Sequence, residues 1–401
     1  MKLSNKSKSN IRVLHLIKTS IGAGWALRQT RELIALGIEV HIVLPEGPMV
    51  KKYEQAGVVT HVFDPSFSVT SIFSNRARSA MLRNLVEHIQ PDIIHSHFVA
   101  TTLLMRWSLR KLDIPRIFHV PGPLHLEHLI FRQLDLLSAK YLSAATAQDY
   151  WLASCKWTKN AYRSYGVNKA RVGLAYYGVN EGDFTAPEPT TLSLRKELNI
   201  DDESFLIGMI AYFYAPKPYL GQRRGLKGHE DLIDAMAIVC RTYPKTKCVF
   251  VGGPWAFAQR YFEKVKAYAQ KVAPEACVFL GVRTDVPTIY PQLNLAVHPS
   301  HSENVGGAVE SMYAKTPTLA SNVGGFPDLI CDNETGLLAP AKNPEALAEK
   351  IIYAIENQDK LRDFATKGFV KVKEVMNVEH NAKEVLDFYQ HVLCDYRNKS
   401  I

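Results

Sequence analysis

The chain has 401 residues, more than one ordinary hydrophobic core organises, and suits two domains of about 190 residues each. Its composition, 47% hydrophobic and 22% charged, is that of a globular protein and excludes a disordered or fibrous one. The net charge of +9 is uneven: residues 1–184 hold 23 Lys+Arg against 13 Asp+Glu, a balance of +10, and residues 185–401 hold 25 against 26, a balance of −1. A basic half of this kind suits an anionic lipid surface or an acidic partner, with diffuse solubilising charge as the alternative. Nucleic acid is not expected, because no recognition motif or basic–aromatic repeat occurs.

No apolar run approaches the ~18 residues of a membrane span. The polar stretch Met1–Asn10 has no apolar core, and Ile11–Ile17 is too short for a secretory leader. Six cysteines are scattered without C-x-x-C spacing, which argues for a reducing compartment and against zinc or disulfides. The expected location is cytoplasmic, with the basic half able to rest on the inner face of a membrane.

In chain order, short apolar runs alternate with amphipathic segments. The spacing predicts strands over Arg12–Ile17, Glu39–Leu44, Val58–Phe63, Asp92–His95, Arg116–Val120, Tyr150–Ser154 and Arg171–Tyr176. Helices are predicted over Ala26–Leu36, Ala80–Gln90 and Thr101–Leu112. Such alternation implies a parallel sheet covered by helices on both faces, with ligands at the carboxyl ends of the strands. Three loops stand at such ends. Thr19–Gly24 carries Gly22 and Gly24, where the backbone is free to approach a ligand. His95-Ser96-His97 ends the fourth strand with both imidazoles on one face; a metal there would need further ligands. His119-Val120-Pro121-Gly122-Pro123 ends the fifth strand, with His125 and Glu127 following. In Thr101–Leu112, Leu103, Leu104, Trp107 and Leu112 beside Arg106, Arg110 and Lys111 suggest a basic interfacial helix; the alternative buries the leucines and leaves the cations in water.

Acidic and proline-bearing residues 181–203 read as a linker. Alternation then restarts, with strands expected over Phe205–Ala211, Lys247–Val251, Ala276–Leu280, Asn294–His298, Thr318–Ser321 and Gly336–Leu338. Helices are expected over Glu230–Arg241, Ala256–Ala273, Pro344–Asn357 and His380–Leu393. The most informative stretch is Val297–Pro340. There a glycine-bearing loop, Ser302-Glu303-Asn304-Val305-Gly306-Gly307, opens a helix containing Glu310. A helix N-terminus offers unpaired N–H groups to a phosphate or a polarised sugar oxygen, and a carboxylate in its first turn can hold a vicinal diol by charge-assisted hydrogen bonds.

These residues, with S-N-V-G-G-F-P-D behind them, resemble the donor site of retaining glycosyltransferases of family four. The resemblance extends to Pro91-Asp92-Ile93-Ile94-His95-Ser96-His97, to Tyr177-Gly178-Val179-Asn180 and to Lys227-Gly228. It implies the GT-B fold: two Rossmann-like doubly wound parallel-sheet domains facing across a cleft, at residues 1–184 and 185–379. Residues 380–401 would form a helix crossing back toward the first domain. It also implies a nucleoside-diphosphate sugar as donor, UDP in preference to GDP, no metal or other cofactor, and a glycan or lipid-linked acceptor.

By the same resemblance Glu310 holds the ribose diol. Glu303, Asn304 and Val305 hold the sugar with the N–H groups near Gly306 and Gly307. Lys227 with Gly228 neutralises the diphosphate, Gly253, Val282 and Arg283 border the nucleotide, and Gly22 and Gly24 approach the diphosphate. His119 reaches the donor sugar, while His97, His125 and Glu127 belong to the acceptor side. Two departures stand out. The family's first acid falls at Ser302, leaving Glu303 to replace it, and its loop arginine is missing, leaving Arg223 or Arg224 to substitute. Those departures keep two rivals open, a sugar-nucleotide 2-epimerase of the same fold and a non-catalytic partner subunit.

Overall fold

The computed structural model describes residues 11–143, 148–184 and 193–398. The polar stretch Met1–Asn10 and residues 185–192 of the expected linker lie outside the described residues. The chain divides into two compact units, residues 1–179 with 376–401, and residues 180–375.

The first unit holds seven parallel strands: β1 (Arg12–Leu16), β2 (Glu39–Leu44), β3 (Val59–Val62), β4 (Ile93–Ser96), β5 (Arg116–Val120), β6 (Asp149–Ala153) and β7 (Val172–Leu174). Their spatial order is β3-β2-β1-β4-β5-β6-β7. β4, β5 and β6 are buried along their whole length, and β1 and β2 at all but the first residue, which explains their near-continuous apolar runs. The chain returns to this unit where Val179 pairs with Asn377, at a spot only glycine permits: a Cβ on Gly178 would lie 2.4 Å from the Val378 Cα. The final helix, Val378–Arg397, is capped by the Asn377 side chain and packs against the first helix, Gly24–Ala35. Its Ala382, Val385, Phe388, Tyr389 and Val392 join the core.

The second unit repeats the plan with six parallel strands: β8 (Leu206–Ile210), β9 (Lys247–Val251), β10 (Cys277–Gly281), β11 (Leu295–His298), β12 (Thr318–Ser321) and β13 (Leu337–Ala339). Their order is β10-β9-β8-β11-β12-β13. The order reverses between β8 and β11, so the loops after these two strands diverge and leave a crevice at their carboxyl ends. The turn Glu181–Phe184 packs on this unit, against the Gly306–Tyr313 helix, so the boundary falls a few residues earlier than the sequence suggests.

Two expectations about the first unit are corrected. The helix expected over Thr101–Leu112 runs over Val99–Ser108, and Arg106 lies on its buried face with no exposed surface; Arg106 is therefore no membrane-facing cation. The sequence reading also missed the helix Leu129–Tyr141, which is amphipathic the wrong way round: Asp135 is buried while Ile130, Leu134, Leu137 and Tyr141 are exposed. Among the described residues, no helix is long and apolar enough to cross a membrane.

Candidate active site

The loops after β8 and β11 meet at Lys227 and Glu303. Gly228 begins the helix His229–Thr242 with φ of +77°, and a Cβ there would lie 2.0 Å from the Pro299 carbonyl oxygen. Only glycine lets the two loops approach so closely, which accounts for the Lys-Gly pair. Lys227 Nζ then forms an ion pair with Glu303. Burial pulls the Lys227 ammonium down, but Glu303, with Tyr214 and Glu310 beyond it, more than offsets this and holds its pKa above the usual lysine value. The Glu303 carboxylate accepts the Asn304 N–H at 3.2 Å and lies against Gly306, where a Cβ would come within 2.8 Å of the carboxyl carbon. Ser302, at the position of the family's first acid, is buried, with its hydroxyl unpaired in the protein. Thus Glu303, rather than Ser302, stands at the helix start.

Gly306 and Gly307 open the helix Gly306–Tyr313, whose first N–H groups lack intrahelical acceptors. A Cβ on Gly307 would press within 3.0 Å of the His298 ring. His298 ends β11 and bonds Ser311 Oγ at 3.1 Å; burial and then Lys227 push its pKa down to about 3, so the ring is neutral. Val305 is buried behind this turn. One turn further on, Glu310 lines a cavity of about 190 Å³ with Val286, Pro287 and Tyr290, and Tyr290 OH donates to Glu310 Oε2 at 3.5 Å. A carboxylate beside this cavity can accept charge-assisted hydrogen bonds from a vicinal diol.

The remaining predicted residues of this unit separate. Arg224 pairs with Asp231 at 2.6 Å and Asp234 at 2.7 Å, and Arg223 lines another cavity with Arg260 and Lys264. The charge of Arg224 is thus taken up by two carboxylates, and Arg223 takes no part in the Lys227–Glu303 ion pair. Arg283 is held by Asp285 at 2.7 Å and Glu197 at 2.6 Å. Val282 packs over Gly253, where a Cβ would come within 2.6 Å of it. Sequence reasoning missed His298 and Tyr290; a lone histidine ending a buried strand was the only available signal for the first.

In the first unit, His97 and His119 join a buried stack that also contains His15 and His95. His15 Nδ1 and His97 Nε2 share a hydrogen bond at 2.9 Å, and His97 Nδ1 meets Tyr177 OH at 3.1 Å. His119 donates Nε2–H to the Ala175 carbonyl at 3.1 Å and stacks on Tyr177 with centroids 4.1 Å apart. Burial lowers all four pKa values, to about 3 for His15 and His119. Ligating nitrogens of His15, His95 and His97 lie within 4.8 Å of one another, a third imidazole that the His95-Ser96-His97 motif does not announce. Hydrogen bonds between His15 and His97 and from the Tyr177 and Tyr389 hydroxyls already occupy these nitrogens, except His95 Nε2, which has no partner.

His125 proves to be a buried side chain, bonded to Tyr162 OH at 3.0 Å and 3.8 Å from Asp135, which removes it from an acceptor surface. Asp135 and Asp149 receive Arg106 at 2.7 Å each, and Arg116 also pairs with Asp149. Burial would raise the Asp135 pKa, but Arg106 and His125 outweigh it and hold the carboxyl well below its usual range. Glu127 is exposed. In the loop after β1, Gly22 takes φ of +68° with open space about it, and Gly24 begins the first helix.

Sequence relatives agree with this anatomy. The model of the Glycosyltransferase Family 4 domain matches residues 25–182, and that of glycosyl transferases group 1 matches residues 218–370. A D-inositol 3-phosphate glycosyltransferase from a Nocardioides species is 25% identical over 416 residues, covering 93% of this chain and 85% of that protein. An uncharacterized glycosyltransferase from Methanocaldococcus jannaschii is 26% identical over 317 residues, covering 76% and 79%. Among solved structures, Anabaena HepE in complex with UDP and glucose superposes with a TM-score of 0.76 at 18% identity, over 94% of this chain and 99% of that one. Sucrose-phosphate synthase from Thermosynechococcus elongatus gives 0.75 at 18% identity, over 96% and 100%. The family models and relatives make the protein a sugar-transferring enzyme, and its two doubly wound parallel sheets give it the GT-B fold. Within that class, the chain belongs to the family four type of glycosyltransferases.

Proposed function

We propose that the enzyme moves a sugar from a nucleoside diphosphate, UDP in preference to GDP, to an acceptor hydroxyl with retention of configuration, in polysaccharide or glycolipid synthesis. The observation that carries this reading is the Lys227–Glu303 pair at the start of the Gly306–Tyr313 helix. A donor entering here offers Lys227 a diphosphate in exchange for Glu303, and the released carboxylate accepts hydrogen bonds from sugar hydroxyls. As the glycosidic bond breaks, negative charge grows on the leaving phosphate. Lys227 and the helix N–H groups are already aimed at it, and such preorganised charge lowers barriers most. That positive charge makes a metal unnecessary. Chelation therefore leaves activity intact, and a loss with EDTA that zinc or magnesium restores would count against the mechanism.

Retention is supported by the family resemblance and by the lack of a positioned base among the described side chains of this loop pair. The acceptor proton passes to the leaving phosphate oxygen as the new bond forms on the same face. UDP is supported by the Anabaena relative, whose structures hold UDP, UDP with glucose, and UDP-glucose. A membrane surface is supported by the Leu129–Tyr141 helix, whose exposed apolar stripe lies beside Arg132 and Lys140 in the basic half of the chain.

Thermal stabilisation by nucleotides and nucleotide sugars tests the donor reading, because a ligand of the folded state adds stability as ln(1 + [L]/Kd). UDP and a UDP-sugar should stabilise the protein more than GDP, and equal stabilisation by GDP would overturn the base preference. Glu310→Gln should weaken UDP binding by about 1.5–3 kcal/mol, the value of hydrogen bonds to a charged group. Unchanged affinity in that variant would remove Glu310 from the ribose.

A further inference from the structure

The segment between β8 and the His229–Thr242 helix encloses a cavity that the donor chemistry does not use. It measures about 580 Å³, within the range of small-molecule sites. Arg223 and Arg224 line one side, Arg260, Tyr261 and Lys264 line another, and Phe257 and Glu230 complete it. Lys227, Glu303 and Glu310 do not line it.

The charges in this cavity do not balance. Glu230 is satisfied within the protein, accepting Tyr261 OH at 2.7 Å and the Gly225 N–H at 3.3 Å. Arg224 is neutralised by Asp231 and Asp234. Arg223, Arg260 and Lys264 remain, and no carboxylate among the described residues lies within ion-pair distance of any of them. Arg260 and Lys264 are one helical turn apart, a like-charge spacing that disfavours the helix. Beside them Phe257 is fully exposed, following Ala256 at φ of +51°. An open aromatic face next to unpaired cations matches a ligand that is apolar on one side and anionic on another. A pyranose ring bearing a phosphate or a carboxylate has that character.

We infer that this cavity is a second carbohydrate subsite, separate from the donor residues, that binds an anionic sugar through Arg223, Arg260 and Lys264, with the ring against Phe257. NMR titration of the full chain, with and without UDP, should use glucose 6-phosphate, glucuronic acid, glucose and inorganic phosphate as probes. At least one charged sugar should bind and glucose should not, and which of the two binds tells phosphate from carboxylate. The double variant Arg260→Ala, Lys264→Ala should weaken that binding at least tenfold, and Phe257→Ala should weaken it several-fold. UDP affinity should stay unchanged in both, which also reports that they fold. The proposal is overturned if neither charged sugar binds, or if binding survives the double variant. It is equally overturned if inorganic phosphate binds as tightly as glucose 6-phosphate and Phe257→Ala has no effect, the mark of a plain anion site. A wild-type protein that binds a charged sugar but not UDP would refute the donor reading while supporting this one.

Discussion

The two units share one plan, a doubly wound parallel sheet with a reversal in strand order, yet they handle polar residues in opposite ways. The first unit buries its polar chemistry: four stacked imidazoles, and an Arg106–Asp135–Asp149–Arg116 network with no exposed arginine surface. The second keeps Lys227, Glu303 and Glu310 partly exposed on loops and the second turn of a helix. A buried charge must keep its partner, because losing it leaves an uncompensated ion in a poorly polarisable medium. A pair that keeps some exposed surface, as Lys227 and Glu303 do, can exchange its partner for a ligand at lower cost. The first unit's charges are therefore architecture, and on the proposed function the second unit's are machinery.

Acid should separate the two most strongly. His15, His95, His97 and His119 have folded pKa values lowered by burial, so the native state favours neutral rings. Their contribution is complete above the unfolded value of about 6.5 and is lost as pH falls below it toward the folded values. Four such groups give a slope of up to about 5 kcal/mol per pH unit. In the second unit His229 and His298 are likewise lowered, to about 3, giving about half that slope. Hydrogen exchange read peptide by peptide at pH 7 and pH 5 should show the first unit losing protection more. Equal loss would mean that the histidine stack does not govern acid stability.

Asp135→Ala should destabilise the first unit by about 3–5 kcal/mol, the usual cost of orphaning a buried charge, here that of Arg106. Denaturant unfolding measures it, and a loss below 1 kcal/mol would mean that Asp149 suffices for Arg106. Lys227→Ala should do the reverse, leaving the midpoint almost unchanged while lowering kcat/KM about 10²–10³-fold, as when one preorganised charge-stabilising group is removed. A silent Lys227→Ala would break the contrast between architecture and machinery at its strongest point.

Much of this was legible locally. Strands Glu39–Leu44, Arg116–Val120, Lys247–Val251 and Thr318–Ser321 occupy the spans that apolar runs predict, because a strand buried on both faces leaves a continuous signature. Lys227-Gly228 and Glu303 stood out by resemblance to the family's motifs, and the close approach of Gly228 to Pro299 gives the physical reason for the glycine. The rest depends on partners remote in sequence. Arg106 looked like a surface cation because its own helix carries no sign of Asp135 or Asp149. His15 looked ordinary because His97 lies 82 residues away. Arg223 and Arg224 match a chemical requirement of the phosphate site, but the path of their loop takes one to Asp231 and Asp234 and the other to the Arg260–Lys264 cavity.

The smallest expected effect concerns a helix on which the first unit turns a stripe of apolar residues outward. Ile130, Leu134, Leu137 and Tyr141 fall at i, i+4, i+7 and i+11 of the Leu129–Tyr141 helix, all exposed, with Lys140 exposed among them. Arg132 lies over the Tyr165 ring at 4.3 Å. An apolar stripe edged by cations is the pattern of a helix lying in the plane of an anionic bilayer, and each basic residue near such a surface contributes about 1 kcal/mol. The protein should therefore sediment with vesicles rich in anionic lipid at low salt and be released at high salt, since the attraction is screened. Leu134→Asp with Leu137→Asp should abolish binding by placing acids on the stripe. Lys140→Ala should weaken it only about fivefold, the equivalent of about 1 kcal/mol. Binding that survives the double aspartate variant would remove this helix from the membrane. A concentration-dependent dimer that the same variant dissolves would show instead that a second copy of the chain covers the stripe.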